Sequence, residues 1–298
     1  VIADGTLLEA RQVEIPASAL SMARRSLEGQ NLARFEHVTL HEITYASQGL
    51  KIKGWLALPH AGQASYPALI FNRGGSGPRG ALSAEGAMAF AGLYASWGYV
   101  CVASNYRGLG GSDGTEEWGA GDVDDALNLL PLLDSLGYVD RSRIGIIGGS
   151  RGGMMALMML ARTDRFRAAV TFGAPSMIHA VDQSAYIRKT MLKHLSPEAD
   201  IQLEAERRSA VLWADKLNKA TPLLVLHGTG DRRVTPEHGL HLGMALQECL
   251  HPYKLVMYDN ADHVLAGRRE ESNADIRWWV DHYVRDGSPL PRVGPHGA

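Results

Sequence analysis

Ile144-Gly145-Ile146-Ile147-Gly148-Gly149-Ser150-Arg151-Gly152-Gly153-Met154-Met155-Ala156-Leu157 changes character twice within a short span. The apolar run Arg143 to Ile147 reads as a strand buried on both faces, and Arg151 to Arg162 reads as a helix. Between them lies G-x-S-x-G, with Gly148 and Gly152 two residues either side of Ser150. A side chain presented on so sharp a strand-to-helix turn needs strained backbone angles and small neighbours. The following helix points its N-terminus at the same place, where its N–H groups favour developing negative charge. The stretch therefore predicts a nucleophilic serine at the carboxyl edge of an α/β sheet.

Working outward, short apolar runs alternate with helical stretches. The runs are Ala68 to Phe71, Tyr99 to Ala103, Ala168 to Phe172, Leu223 to Leu226 and Lys254 to Tyr258, and the helical stretches are Ser83 to Trp97, Ala120 to Leu136, Pro236 to Leu250 and Gly267 to Arg285. Such alternation predicts a mostly parallel central sheet with helices on both faces. Ahead of it, His37 to Tyr45 and Leu50 to Leu58 flank Gln48-Gly49, a hairpin signal. Residues 1–36 read as an N-terminal helical segment with a helix from Pro16 to Arg34, residues 37–285 as the main domain, and 286–298 as a flexible tail. Residues 174–218 hold helical pieces and no strand signal. They form a small helical cap, which either covers core surface or serves as a substrate lid.

A serine hydroxyl is a poor nucleophile until a base takes its proton, so Ser150 requires a histidine. Of the twelve histidines, His263 in Asn260-Ala261-Asp262-His263 follows the last strand-like run and precedes the last helix. That places it at the sheet edge where open α/β sheets bind ligands. His238 and His241 lie one helical turn apart, and His37 and His41 share the opening strand; neither pair has a third suitably spaced ligand, so no metal is expected. The orienting acid is Asp231 in Leu226-His227-Gly228-Thr229-Gly230-Asp231-Arg232-Arg233-Val234, which gives the order serine, acid, histidine. Asp259 and Asp262 are nearer His263 in sequence, and Asp231 could alternatively be an ordinary turn residue. For the oxyanion, one donor is the backbone N–H of Arg151 and the second comes from Asn72-Arg73-Gly74-Gly75, Gly75 before Gly74. Substrate contacts are expected from Arg73, Trp118, Met177 and Tyr186, with Arg73 and Arg151 able to favour a carboxylate-bearing substrate unless acids such as Asp113, Glu116 or Glu117 pair with them.

The net charge of −2 supplies no basic field for nucleic acid. Runs such as Met154 to Ala161 and Thr221 to Leu226 fall far short of a membrane span, and Cys101 and Cys249 make no disulfide framework. The expectation is a cytoplasmic enzyme without cofactor, with neither membrane nor nucleic acid as partner. The chain begins at Val1, without a basic-then-apolar leader, which reads as a trimmed or processed chain.

GGSRGG at 148–153, NYRG at 105–108 followed by LGGSDG, HGTGDRRV at 227–234 and ADH at 261–263 stand in one order. Over residues 50–285 the chain thus resembles the catalytic domain of the prolyl oligopeptidase family, serine hydrolases of the α/β-hydrolase fold that include peptidases and carboxylesterases. By that resemblance Asn72-Arg73-Gly74-Gly75 stands where the family usually has His-Gly-Gly-Pro, and Arg151 where an aromatic residue is common. The family's peptidases usually carry a β-propeller, which residues 1–36 cannot build. The resemblance then implies a carboxylesterase acting on short-chain acyl esters. The alternative is an aminopeptidase or acyl-peptide hydrolase acting on short peptides. A non-catalytic binding protein would show a damaged triad, and dehalogenase chemistry would want a carboxylate at position 150.

Overall fold

In the computed structural model, which describes residues 2–15, 17–18, 37–60, 62–182 and 185–295, Gln48 and Gly49 both take positive φ, 50° and 79°. That mirror-turn geometry lets β2 (Thr39–Ser47) and β3 (Leu50–Leu58) pair tightly and antiparallel. The chain divides into two units, Val1–Gly145 and Ile146–Ala298.

In the first unit, β1 (Leu7–Val13) pairs antiparallel with β2. This strand, ahead of the expected helix in the 1–36 segment, was not anticipated. β1 is half-exposed or exposed along its length, and its charged residues Glu9 and Arg11 pair with Lys53 and Glu42, so no apolar alternation marks it. Of the expected helix Pro16 to Arg34 all but residues 17–18 lies outside the described residues. β4 (Tyr66–Asn72) and β5 (Val100–Ser104) are buried throughout and pair parallel, and β5 pairs antiparallel with β3. Between them, α1 (Ala84–Ala87) and α2 (Leu93–Ser96) are joined by a π-turn over Met88–Gly92. The single helix expected over Ala120 to Leu136 is two, α3 (Gly121–Leu127) and α4 (Leu129–Ser135). Pro131 lacks the N–H that would bond Leu127, which breaks the helix there.

The NYRG stretch follows β5 and is tied down by a buried acid. Asp125 accepts from Arg107 N (2.9 Å), Nε (3.0 Å) and Nη2 (3.0 Å) and from Ser47 Oγ (2.7 Å). A guanidinium gripped by this buried carboxylate, with Gln48 Oε1 at 2.7 Å and Glu117 Oε1 at 3.5 Å beside it, sets the loop in one conformation. Tyr106, at φ 63°, tucks its ring beneath the Arg73 guanidinium, 4.4 Å from the centroid.

β6 (Val139–Gly149) carries the chain into the second unit. There β7 (Ala168–Phe172), β8 (Leu223–Gly228) and β9 (Tyr253–Tyr258) pair parallel in sequence order. Each strand is followed by helix: α5 (Arg151–Leu160) after β6, α8 (Glu237–Glu248) after β8 and α9 (Arg269–Val280) after β9. Between β7 and β8 lie α6 (Tyr186–Leu192) and α7 (Ile201–Arg207) with short 3-10 turns, and no strand among the described residues.

Candidate active site

Ser150 sits at φ 53° and ψ −126°, a conformation that a residue with a side chain adopts only when its surroundings enforce it. The enforcement is visible on both sides. A Cβ at Gly148 would lie 2.2 Å from the Gly152 carbonyl oxygen, and one at Gly149 would lie 2.2 Å from the Phe172 ring. Ser150 N donates to Phe172 O at 2.8 Å, while Ser150 O accepts from Gly153 N (2.8 Å) and Met154 N (3.2 Å) to begin α5. The turn is therefore pinned to β7 and to the helix at once. Arg151 is the first residue of α5, where N–H groups have no acceptor within the helix.

Asp231 and His263 lie on the loops that leave β8 and β9. These loops are laced together: Gly230 N donates to Ala261 O (2.9 Å), and Asn260 N donates to Thr229 Oγ1 (2.9 Å). Asp231 Oδ1 accepts from Arg233 N (2.8 Å) and Val234 N (3.1 Å), which leaves Oδ2 for His263 Nδ1 at 2.7 Å. His263 Nε2 then stands 2.9 Å from Ser150 Oγ. The turn residue and the acid are thus the same Asp231. Asp262, the nearer carboxylate in sequence, accepts instead from Val264 N (3.0 Å) and Ala266 N (2.9 Å) and shapes the loop. Gly173, at φ 55°, allows the imidazole to lie against the backbone, since a Cβ there would be 3.2 Å from the ring.

A second histidine reaches the same acid. His227 is buried, and its Nε2 lies 2.8 Å from Val234 O and 3.5 Å from Asp231 Oδ2. Its Nδ1 is sealed and unpartnered. Burial pushes the Asp231 carboxyl up, but the hydrogen bonds from His227 and then His263 outweigh it and hold it well below the usual carboxylate range. His227 stands inside the HGTGDRRV motif, and its place immediately before the β8 loop was the available signal.

The other expected residues fall as follows. In the first unit, Arg73 is buried and spends its guanidinium on the carbonyls of Asn105 and Gly74 and on the Tyr106 ring. Gly75 takes φ 80°, a Cβ there lying 3.1 Å from Gly80 Cα, and Trp118 is buried at φ 53°. In the second unit, the Arg151 side chain is buried, Met177 half-buried and Tyr186 exposed. His238 is not available as one of a metal pair: its Nδ1 accepts from Ser176 N (2.9 Å) and Met177 N (3.1 Å), while His241 Nδ1 faces Glu237 O. Among the described residues no group of three His, Cys, Asp or Glu could hold a metal ion, and no helix is long and apolar enough to cross a membrane.

Comparison with known proteins gives the chain a family and a fold. Residues 88–286 match the family described as prolyl oligopeptidase family. The chain is 31% identical over 233 residues to the Bacillus subtilis protein called uncharacterized peptidase YtmA, covering 76% of this chain and 87% of that one. It is 32% identical over 277 residues to uncharacterized peptidase YuxL of the same organism, covering 86% of this chain but 40% of the relative. A Mycobacterium tuberculosis puromycin-hydrolyzing peptidase superposes with a TM-score of 0.69 at 19% identity, over 83% of this chain and 46% of that one. The chain thus spans most of YtmA and less than half of YuxL and of the solved peptidase. The fold is that of the α/β-hydrolases.

Proposed function

This chain belongs to the prolyl oligopeptidase family of serine hydrolases, and from that premise we propose that it is a serine peptidase that cleaves short peptides through an acyl-enzyme on Ser150. The observation that carries the reading is the unbroken chain from Ser150 Oγ to His263 Nε2 (2.9 Å) and from His263 Nδ1 to Asp231 Oδ2 (2.7 Å). His263 takes the proton from Ser150 as its oxygen attacks the carbonyl carbon, and Asp231 stabilises the imidazolium that results. The Arg151 N–H donates to the developing oxyanion. His263 returns the proton to the departing amine, then activates the water that releases the acyl group.

The expectation of a carboxylesterase rested on shortness and is not supported by the relatives. YtmA bears a peptidase name although the match covers 87% of its length, so a short chain does not by itself argue against peptide substrates.

Fluorophosphonate labelling with peptide mapping, beside turnover of an aminoacyl nitroanilide and a short p-nitrophenyl ester, tests the proposal. Expected are labelling at Ser150, nitroanilide cleavage, and loss of both in Ser150→Ala. Ester cleavage with no amide turnover would return the chain to the esterase reading, and failure to label would remove the triad assignment.

A further inference from the structure

Three arginines of the second unit are buried: Arg151, Arg188 and Arg208. Arg208, 2% exposed, is neutralised by Glu204 at 2.5 Å. Arg188, 4% exposed, is treated differently. It lies on the buried side of α6 with Ile187 and Met191, and its guanidinium makes one hydrogen bond, from Nη1 to the Ile178 carbonyl at 2.9 Å. Its Nε is sealed and unpartnered, and no carboxylate among the described residues pairs with it. His179, close enough for its charge to interact with that of Arg188, also has a buried, unpartnered Nδ1. Glu206, the acid that bears on His179, takes Gln202 Nε2 at 2.9 Å and does not reach Arg188.

An uncompensated cation at such depth costs several kcal/mol, and an apolar residue would fill the same place without that cost. A guanidinium with one bond out of five donors is a receptor for a planar anion. Its location says where the anion belongs. Gly173 lies against the His263 ring, and Ile178, which anchors Arg188, follows five residues later. Extended chain advances at most ~3.6 Å per residue, so that anchor is within about 18 Å of Gly173 and roughly 22 Å of the imidazole. A peptide residue advances by a similar length, which puts the cation within a few residues of a bond held at Ser150.

We propose that Arg188 is a specificity residue, a subsite in the 174–218 segment that binds a carboxylate of the peptide substrate. The proposal rests on the peptidase reading above. The carboxylate is either an Asp or Glu side chain or the free terminal carboxylate, and each binds the guanidinium through the same paired hydrogen bonds. The sequence offered Arg73 and Arg151 for a carboxylate-bearing substrate; the Arg73 guanidinium meets two carbonyls and a ring, and the present proposal places the role on Arg188.

Peptides of four to six residues, matched as Glu against Gln at each position and as free acid against amide at the C-terminus, test it when cleavage is followed by mass spectrometry. One pair is expected to differ at least tenfold in kcat/KM in favour of the carboxylate, and that pair identifies the source. The ratio is expected to fall towards one in Arg188→Gln and to be partly kept in Arg188→Lys. A wild-type enzyme indifferent to both pairs overturns the proposal whether or not the variants fold, as does a preference that survives in a folded Arg188→Gln. The same pairs titrated calorimetrically onto Ser150→Ala separate the two readings. If labelled enzyme cleaves no peptide, the peptidase reading fails, while carboxylate-selective binding lost in Arg188→Gln still sustains the subsite and its absence removes it.

Discussion

His227 and His263 both direct a nitrogen at Asp231 Oδ2, at 3.5 and 2.7 Å. The second contact belongs to the proposed triad; the first helps to hold the carboxylate in place for it. A hydrogen bond to a charged group contributes about 1.5–3 kcal/mol, and the long His227 contact belongs at the low end, roughly tenfold in rate. His227→Leu is expected to lower kcat about tenfold with KM little changed. His227→Gln, which keeps an N–H near the position of Nε2, should recover most of the loss. Steady-state kinetics checks both, and a Leu variant within twofold of wild type would reduce His227 to a filler of space. At this scale the triad was legible because each member sits at the mouth of a strand in a fixed order. Arg188 was not, since no spacing in a sequence distinguishes a buried cation without an acid from a solvated one.

Among the elements, the turn between β6 and α5 has the least freedom. The Cβ of an alanine at 148 would meet the Gly152 carbonyl at 2.2 Å, and that carbonyl is backbone, with no flexible side chain to yield. Relief requires the turn to open, which displaces Ser150. Overpacking typically costs 1–3 kcal/mol even where side chains can yield, so Gly148→Ala is expected to lower the Tm and cut fluorophosphonate labelling at least tenfold. Gly137→Ala, with no atom within 4 Å of the new Cβ, is the matched control. Equal labelling rates in the two would refute the steric account. The parallel strands were legible because burial on both faces makes them uniformly apolar. β1 was not, because an exposed strand carrying Glu9 and Arg11 loses the alternation that marks its neighbours. Pro131 was the sign that Ala120 to Leu136 could not stay one helix.

Over the whole molecule, the buried histidines make stability depend on pH in one direction. Burial pushes His238 down to about 3, and His251 is lowered for the same reason. An unfolded histidine titrates near ~6.5, so between that value and the folded one the unfolded chain binds more protons. Stability is then full above about pH 6.5 and falls as pH drops, by up to ~1.4 kcal/mol per pH unit for one fully linked group. Asp231 acts in a different window: its carboxyl is held low, so its contribution is present above the ordinary aspartate range near ~3.9 and disappears below it. The interval from pH 6.5 to about 5.5, above the ordinary glutamate range near ~4.3 as well, therefore isolates the histidines. His238→Asn keeps an acceptor near the position of Nδ1 for the N–H groups of Ser176 and Met177 while removing the proton site. Thermal unfolding of wild type should show Tm falling steeply across that interval, and the Asn variant should show a visibly shallower fall. An unchanged slope would mean that His238 already has its folded environment in the unfolded ensemble or exchanges its proton without unfolding, and either would sever the link between the Ser176-Met177 backbone and the pH dependence.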